Sequence, residues 1–456
     1  MRPCSSTIRS PAVPDAPGDD ASDWGLLEPL AFGSGSCALT GDDAVLAALI
    51  AVEAALTGAW ADAGLAPAWL EEIASSLSGA RVDRDALRRG ARAGGNPVIP
   101  LVAALRDYTD RERPGAGDWI HRGATSQDIL DSALMLVASR AIVVVADRLD
   151  NLGARLADLA DEHRGSLMPG RTLTQHAAPI TFGAKVAGWL DGVESAIAAL
   201  GRIEPPVQLA GSVGIGSSFV DLTGSPDAPA ALRAGLAARL GLADPGRSWQ
   251  AERSPVTRLA SALATALGAL GRIAADLLVL ARTEVAEVAE GGAGSSSAMP
   301  QKRNPATAVL IVAAAGRSPG LLSTLFSAMA SADERAAGEW HSEWQALRQL
   351  LALAVEASEA SAALFAGLVV DADRMRANVD LTAGLIYSEE VFSRLTRDRG
   401  RAEATAMVAS AIDGPTPFAE AVPMELSTAT TLVAAATVVD AALARRAARL
   451  RKRDAS

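Results

Sequence analysis

The chain has 456 residues, 49% hydrophobic and 21% charged, with a formal net charge of -11. That make-up is ordinary for a globular protein large enough for one elongated fold or two to three domains. The acidic balance argues against nucleic acid or an anionic membrane surface as the main partner, and no run is expected to span a bilayer, none approaching the roughly eighteen uncharged apolar residues of a membrane span. Aromatic residues are scarce at 4%, and the two cysteines, Cys4 and Cys37, have no metal-ligand spacing. The expected core is therefore Ala, Leu and Val in closely approaching helices, and the expected compartment is a reducing cytoplasm.

Residues 1–23 are rich in Pro, Ser and Asp and read as a disordered leader without a signal-peptide apolar stretch. Helical spacing then dominates. An N-terminal helical domain is expected over 24–120, including "DDAVLAALIAVEAALTGAWADAG" (42–64), with Asp42 as cap and Gly64 as stop. A central long-helix domain is expected over 121–368, with rods at 128–163, 257–290, 304–329 and 335–368. Stretches such as "AIVVVA" and "AVLIVAAA" are apolar on most sides, which predicts burial on most sides and hence oligomerisation through these helices. Segments 169–183 and 205–229, rich in Gly, Pro and Ser, read as loops interrupting the bundle. Residues 369–456 read as a small C-terminal domain of shorter helices.

Four polar segments stand apart from this background: "GGNPVIP" (94–100), "HRGATSQD" (121–128), "GRTLTQHAAP" (170–179) and "GSSSAMPQKRNP" (294–305). "ATSQD" has the composition of a helix cap supplied by Ser126 or Asp128, and His176 reads as a loop histidine satisfied by backbone. The chain has only three lysines, Lys185, Lys302 and Lys452, among many arginines, so Lys302 marks a position for a compact ammonium. Beside a serine cluster and a helix N-terminus, it predicts an anion-attracting pocket in which a serine alkoxide costs less. Catalysis or carboxylate binding follows. No metal or organic cofactor is implied, because His121, His163, His176 and His341 show no ligand spacing and no phosphate-binding glycine motif occurs.

These segments resemble the fumarase/aspartase superfamily. Its signature loop, Gly-Ser-Ser-x-Met-Pro-x-Lys-x-Asn-Pro, is reproduced at 295–305 with Ser295 in the glycine position. "GATSQD" and "GRTLTQHAAP" resemble its other two regions, in the same order. Within the superfamily, "GNPVIPLV", "GATSQDILDSAL" and "ERAAGEWHSEW" look most like 3-carboxy-cis,cis-muconate cycloisomerases. The resemblance implies an all-α, three-domain protomer and a homotetramer around a twenty-helix bundle, with each active site shared by three subunits and a small dicarboxylate as substrate. By position, Ser296 is implied as the general base, with Ser295 and Ser297 as alternatives within the triple serine. Lys302 and Asn304 are implied to hold the carboxylate that becomes an aci-carboxylate on proton loss. Thr125, Ser126 and Gln127 are implied to bind a carboxylate from a second subunit, and Thr172 and Gln175 to contribute from a third. Asn96 and Arg335 complete the implied binding set.

The sequence also departs from the superfamily. Where fumarases and the argininosuccinate and adenylosuccinate lyases read Gly-Arg-Thr-His, this chain has Leu173. A leucine transfers no proton, and general acid help is worth about 10²–10⁴-fold. The departing group is therefore expected to be stable as an anion. Two chemistries fit: loss of nitrite from nitrosuccinate to give fumarate, and lactonisation of carboxymuconate by an internal carboxylate. Gln250 and Ser254 in "SWQAERSP", the turn "AGSVGIGSS" and Arg122 also differ from the cycloisomerase pattern and read as a pocket retuned for a smaller dianion, with Arg122 an added cation.

Overall fold

Five long helices, Ser126–Glu162, Phe182–Leu200, Ser254–Leu280, Ala306–Ser327 and Glu339–Ala366, lie side by side as the frame of an all-α protein. The structure is a computed structural model and describes residues 27, 29–30, 34–291, 294–295, 299 and 302–454. Leu149, Leu190, Leu263 and Leu350, one from each of four of these helices, are wholly buried in the shared core. Each such side chain contributes about 1.5–3 kcal/mol. Close approach replaces aromatic bulk. Gly271 faces Ala315 so tightly that a Cβ at Gly271 would lie 2.3 Å from the Ala315 Cβ.

The Asp42–Asp62 helix packs on the Ser126–Glu162 and Ala228–Leu240 helices. Gly41, not Asp42, is its N-cap. Asp42 lies inside the first turn and pairs with Arg88 at 3.0 Å and Arg348 at 2.8 Å, so its carboxylate joins elements instead of capping. The helix does stop before Gly64, whose φ of +66° gives the left-handed exit that glycine favours.

Three predicted boundaries shift. The rod expected over 257–290 ends at Leu280, after which β3 (Val288–Glu290) pairs antiparallel with β6 (Leu368–Val370). That partner is distant in sequence, so local periodicity gives no sign of it. The rod expected from 335 begins at Glu339, leaving Arg335 on the preceding loop. Residues 169–183, expected as a loop, instead contain most of an antiparallel hairpin of β1 (Leu167–Thr172) and β2 (Gln175–Thr181). Its turn residues, Leu173 and Thr174, have φ of +48° and +72°. A two-residue turn of this kind usually carries Asn-Gly, and Leu-Thr hides it.

Beyond β6, Val391, Leu395, Ala404, Phe418 and Val422 belong to a separate small core. The last helix, Ala429–Asp454, is longer than the short helices expected there and returns to the Phe182–Leu200 helix. Arg446 anchors it to Glu194 at 2.7 Å and Asp150 at 3.1 Å.

Among the described residues, five helices are long and apolar enough, by length and composition, to cross a membrane. This corrects the sequence-based expectation that no run approaches that limit. Their apolar surface is used unevenly: the most apolar window is 72% buried in the Ser126–Glu162 helix but only 22% buried in the Ala306–Ser327 helix. Val309 and Phe326 leave about half of their surface exposed on that second helix, at 51% and 48%.

Candidate active site

The Ser126–Glu162 helix begins with three predicted site residues. Thr125 is its N-cap and forms a capping box with Asp128, whose carboxylate accepts the Thr125 N–H at 3.0 Å. The cap is thus this pair, not Ser126, which stands half-buried in the first turn. Asp128 also accepts from Ala210 N at 2.9 Å, Gly211 N at 2.9 Å and Gln208 Nε2 at 3.2 Å. Burial pushes its carboxyl up to about 6 against these four donors. The arrangement fastens the 208–211 segment to the helix start.

Gln127 is 1% exposed. Its Nε2 donates to Asp131 Oδ2 at 3.2 Å and to the Gln250 carbonyl at 2.8 Å. This fixes the amide, and its Oε1 is a buried acceptor with no partner. Below it, Arg253 donates to Asp131 at 2.7 and 3.1 Å and to Glu343 at 3.0 Å, while Trp340 Nε1 adds a 3.0 Å bond to Asp131. One guanidinium thus serves two buried carboxylates. Burial pushes the Glu343 carboxyl above its ordinary range although Arg253 works against it.

Arg335 meets Thr125 directly. Its Nη2 donates to Thr125 Oγ1 at 2.6 Å and to the Ser212 carbonyl at 3.3 Å, and its buried Nε has no partner. Thr125, Ser126, Gln127 and Arg335 therefore stand at one end of the bundle, with a cation and an unpaired acceptor among them. Asn96 is buried, but its Oδ1 accepts the Val98 N–H at 3.1 Å, and no hydrogen bond joins it to the others among the described residues. Arg122 stacks over Trp119 at 4.5 Å and donates to the Asp118 carbonyl at 3.4 Å. Its guanidinium lies against the tryptophan face, where the sequence reading expected an added cation for the pocket.

The remaining predicted residues lie elsewhere. At about 1.5 Å per residue, the 37-residue Ser126–Glu162 helix separates Thr125 from the base of the β1–β2 hairpin by roughly 55 Å. Thr172 and Gln175 are exposed beside its turn, and Leu173 between them is 96% exposed. Arg171 roots the hairpin with two bonds to the wholly buried Glu287, at 2.9 and 2.6 Å. Asn378 Nδ2 adds a 2.8 Å bond to the same carboxylate. The His176 ring, half-buried, makes no hydrogen bond to backbone among the described residues, contrary to expectation. Burial and then Arg171 hold its ring below the ordinary range.

Lys302 and Asn304 belong with this far end. β4 (Gly294–Ser295) pairs antiparallel with β5 (Arg303–Asn304), leaving Lys302 exposed and Asn304 half-buried just before the Ala306–Ser327 helix. Ser296 and the alternative Ser297 lie outside the described residues. The helix N-terminus is not open to an anion as predicted: the Glu290 carboxylate accepts from Thr307 N at 3.0 Å and Ala308 N at 3.5 Å. Glu290, at the end of β3, follows the hairpin's partner Glu287 by three residues, so the start of the Ala306–Ser327 helix and the hairpin share one end of the bundle.

Sequence reasoning missed one buried pair near the first cluster. His121, with φ of +63°, places Nδ1 2.7 Å from the carboxylate of the wholly buried Glu53. Burial disfavours charging the ring, but Glu53 outweighs it and holds the imidazole above its ordinary range. A lone glutamate inside "AVEAAL", charged yet on an apolar stripe, was the available signal. Among the described residues no group of three or more His, Cys, Asp and Glu is placed to hold a metal ion.

A family described as Lyase matches residues 47–320. The nitrosuccinate lyase of Streptomyces davaonensis is 44% identical over 401 residues, covering 85% of this chain and 84% of that protein. The 3-carboxy-cis,cis-muconate cycloisomerase of Pseudomonas aeruginosa is 39% identical over 375 residues, covering 81% of each. The crystal structure of the 3-carboxy-cis,cis-muconate lactonizing enzyme from Pseudomonas putida superposes with a TM-score of 0.82 at 32% identity, covering 92% of this chain and 99% of that one. With the polar segments distributed at the two ends of one long-helix bundle, these likenesses identify the chain as an enzyme of the fumarase/aspartase superfamily of lyases.

Proposed function

We propose that the enzyme eliminates nitrite from nitrosuccinate to give fumarate. The observation that carries this reading is Leu173. It occupies the hairpin turn between Thr172 and Gln175, 96% exposed, where a proton donor would serve a poor leaving group. Nitrite departs as a stable anion and needs none. The 44% identity to a nitrosuccinate lyase supports the same choice.

In this reaction the Ser296 alkoxide takes a proton from the methylene carbon next to one carboxylate. The electrons of the broken C–H bond flow into that carboxylate, giving the aci-carboxylate. They then return to form the C=C bond as the C–N bond breaks, and its electron pair leaves with nitrite. Nitrosuccinate dianion thus yields fumarate dianion, nitrite and one proton, which passes from serine to water. Lys302 and Asn304 face the charge that grows, the kind of fixed donor set that contributes most to catalysis. Arg335, Thr125, Ser126 and Gln127 hold the second carboxylate, with Thr172, Gln175 and Asn96 as further binding groups.

The roughly 55 Å between the two ends of one chain supports a site built from different subunits of a homotetramer. The half-exposed Val309 and Phe326 on the Ala306–Ser327 helix supply apolar surface for that assembly. The 0.82 TM-score to a lactonizing enzyme favours carboxymuconate as the second reading. Purified enzyme offered both substrates decides: nitrite detected by diazo coupling, with fumarate absorbance rising in step, is expected. Carboxymuconate consumption without nitrite release rejects the proposal.

A further inference from the structure

Gln250 is 4% exposed and lies where three segments of the Thr125 end converge. Its Nε2 donates to the Glu334 carbonyl at 2.8 Å and to the Ser212 carbonyl at 3.2 Å. Its own carbonyl accepts from Gln127 Nε2 at 2.8 Å. Glu334 immediately precedes Arg335, and the Ser212 carbonyl that Gln250 engages also accepts from Arg335 Nη2 at 3.3 Å. One amide group thus holds the loop that delivers Arg335 and the loop against which Arg335 rests, while its backbone orients Gln127.

The need for such a clasp follows from the loop itself. Arg335 precedes the Glu339–Ala366 helix, and Gly338, with φ of +132°, separates them, so helix rigidity does not extend to Arg335. Thr125 and Ser212 bind the guanidinium end alone. The Glu334 carbonyl is the point at which the backbone beside Arg335 is tied to the buried interior. Both Nε2 protons of Gln250 are used in that tie, which leaves its Oε1 as a buried acceptor without a partner. The orientation is therefore set by the two carbonyls and not by the oxygen.

We infer that Gln250 is a positioning residue for substrate binding: it fixes Arg335 over Thr125 and Gln127 so that the guanidinium meets a substrate carboxylate in a set orientation. The inference rests on the reading that Arg335 binds that carboxylate. Gln250 touches no reacting atom. Its loss weakens binding of the dianion before it slows the chemical step.

A double-mutant cycle tests this. Gln250→Met keeps the volume and removes both donors, and it is expected to raise KM about tenfold while kcat changes less than about threefold. Arg335→Ala raises KM further, and adding Gln250→Met to it is expected to change KM by less than about twofold, because the two act on one contact. Gln250→Asn keeps the amide but is too short to span both carbonyls, and it decides the matter if Gln250→Met does not fold. Its expected result is the same KM rise at an unchanged melting temperature. The inference is overturned if folded variants keep the parental KM, or if the KM effects of Gln250 and Arg335 multiply. Running the cycle on nitrosuccinate and on carboxymuconate separates the two levels. Turnover of carboxymuconate alone removes the proposed reaction, while the KM pattern on that substrate still decides the role of Gln250.

Discussion

The two ends of the Ser126–Glu162 helix are built on opposite plans. At the Thr125 end the polar groups are buried and tied to one another: Asp128 accepts four hydrogen bonds, Arg253 bridges two carboxylates, and Arg335 already rests on Thr125. At the hairpin end, Thr172, Leu173, Gln175 and Lys302 are exposed, and only their roots, Arg171–Glu287 and Glu290, are fixed. Preorganised donors bind without reorganisation, whereas exposed residues on a firm root suit the intersubunit site proposed above. One chain thus carries a finished wall and an unfinished one.

The sharpest way to break this comparison is to remove the proposed base. Ser296→Ala is expected to lower kcat by about 10²–10⁴-fold with the melting temperature unchanged; retention of a tenth of the activity assigns the proton transfer to another group. The next effect is a gain. If the two ends meet only between subunits, mixing inactive Ser296→Ala with Arg335→Ala, at a substrate concentration far below the raised KM of the latter, and allowing exchange creates sites that lack both defects. Activity is expected to recover to roughly a quarter of the parental value. No recovery after confirmed subunit exchange places both ends in one chain's site and ends the comparison.

The same contrast explains what could be read in advance. Long apolar rods and the polar motifs Thr125–Gln127 and Lys302–Asn304 were legible because each is written in consecutive residues. The 257–290 rod was overextended because β3 depends on β6, some eighty residues later in the chain. The hairpin was missed because Leu173 and Thr174 adopt left-handed backbone without the glycine that marks such turns. Gln250 was visible as an unusual residue, but its bonds to Ser212 and Glu334 join segments that only folding brings together. Glu290 at the Ala306–Ser327 helix is similar: the sequence showed a helix start but not the carboxylate that fills it.

Two stability predictions probe the finished wall and the packing that carries it. Arg253→Met leaves Asp131 and Glu343 buried with no cation, and breaking such a cluster typically costs about 3–5 kcal/mol. A large drop in the denaturant midpoint at neutral pH is expected; a drop below about 1 kcal/mol shows that the cluster ionises less than its geometry suggests. Gly271→Ala acts away from both ends. The new methyl meets Ala315 at 2.3 Å, and forcing the helices apart is expected to cost about 1–3 kcal/mol. An unchanged midpoint would mean that the bundle shifts freely at that level.

The smallest expected effect concerns pH and the His121–Glu53 pair. The folded imidazole titrates above its unfolded value, because Glu53, helped by Asp128, outweighs burial and Arg106. Its contribution to stability is therefore complete below the unfolded value near 6.5 and is lost as pH rises through the folded value. Asp128 gives a separable signal. Its folded value of about 6 lies above the ordinary 3.8, so the folded state holds that proton more tightly and stability falls between those pH values, with little further change above them. A decline continuing above pH 6.5 thus reports the imidazole, and Glu53→Gln is expected to flatten that upper part while leaving the lower part in place. If the upper slope persists in Glu53→Gln, the imidazole draws its proton affinity from another group, and the Thr125 end is less fully tied together than its buried contacts imply.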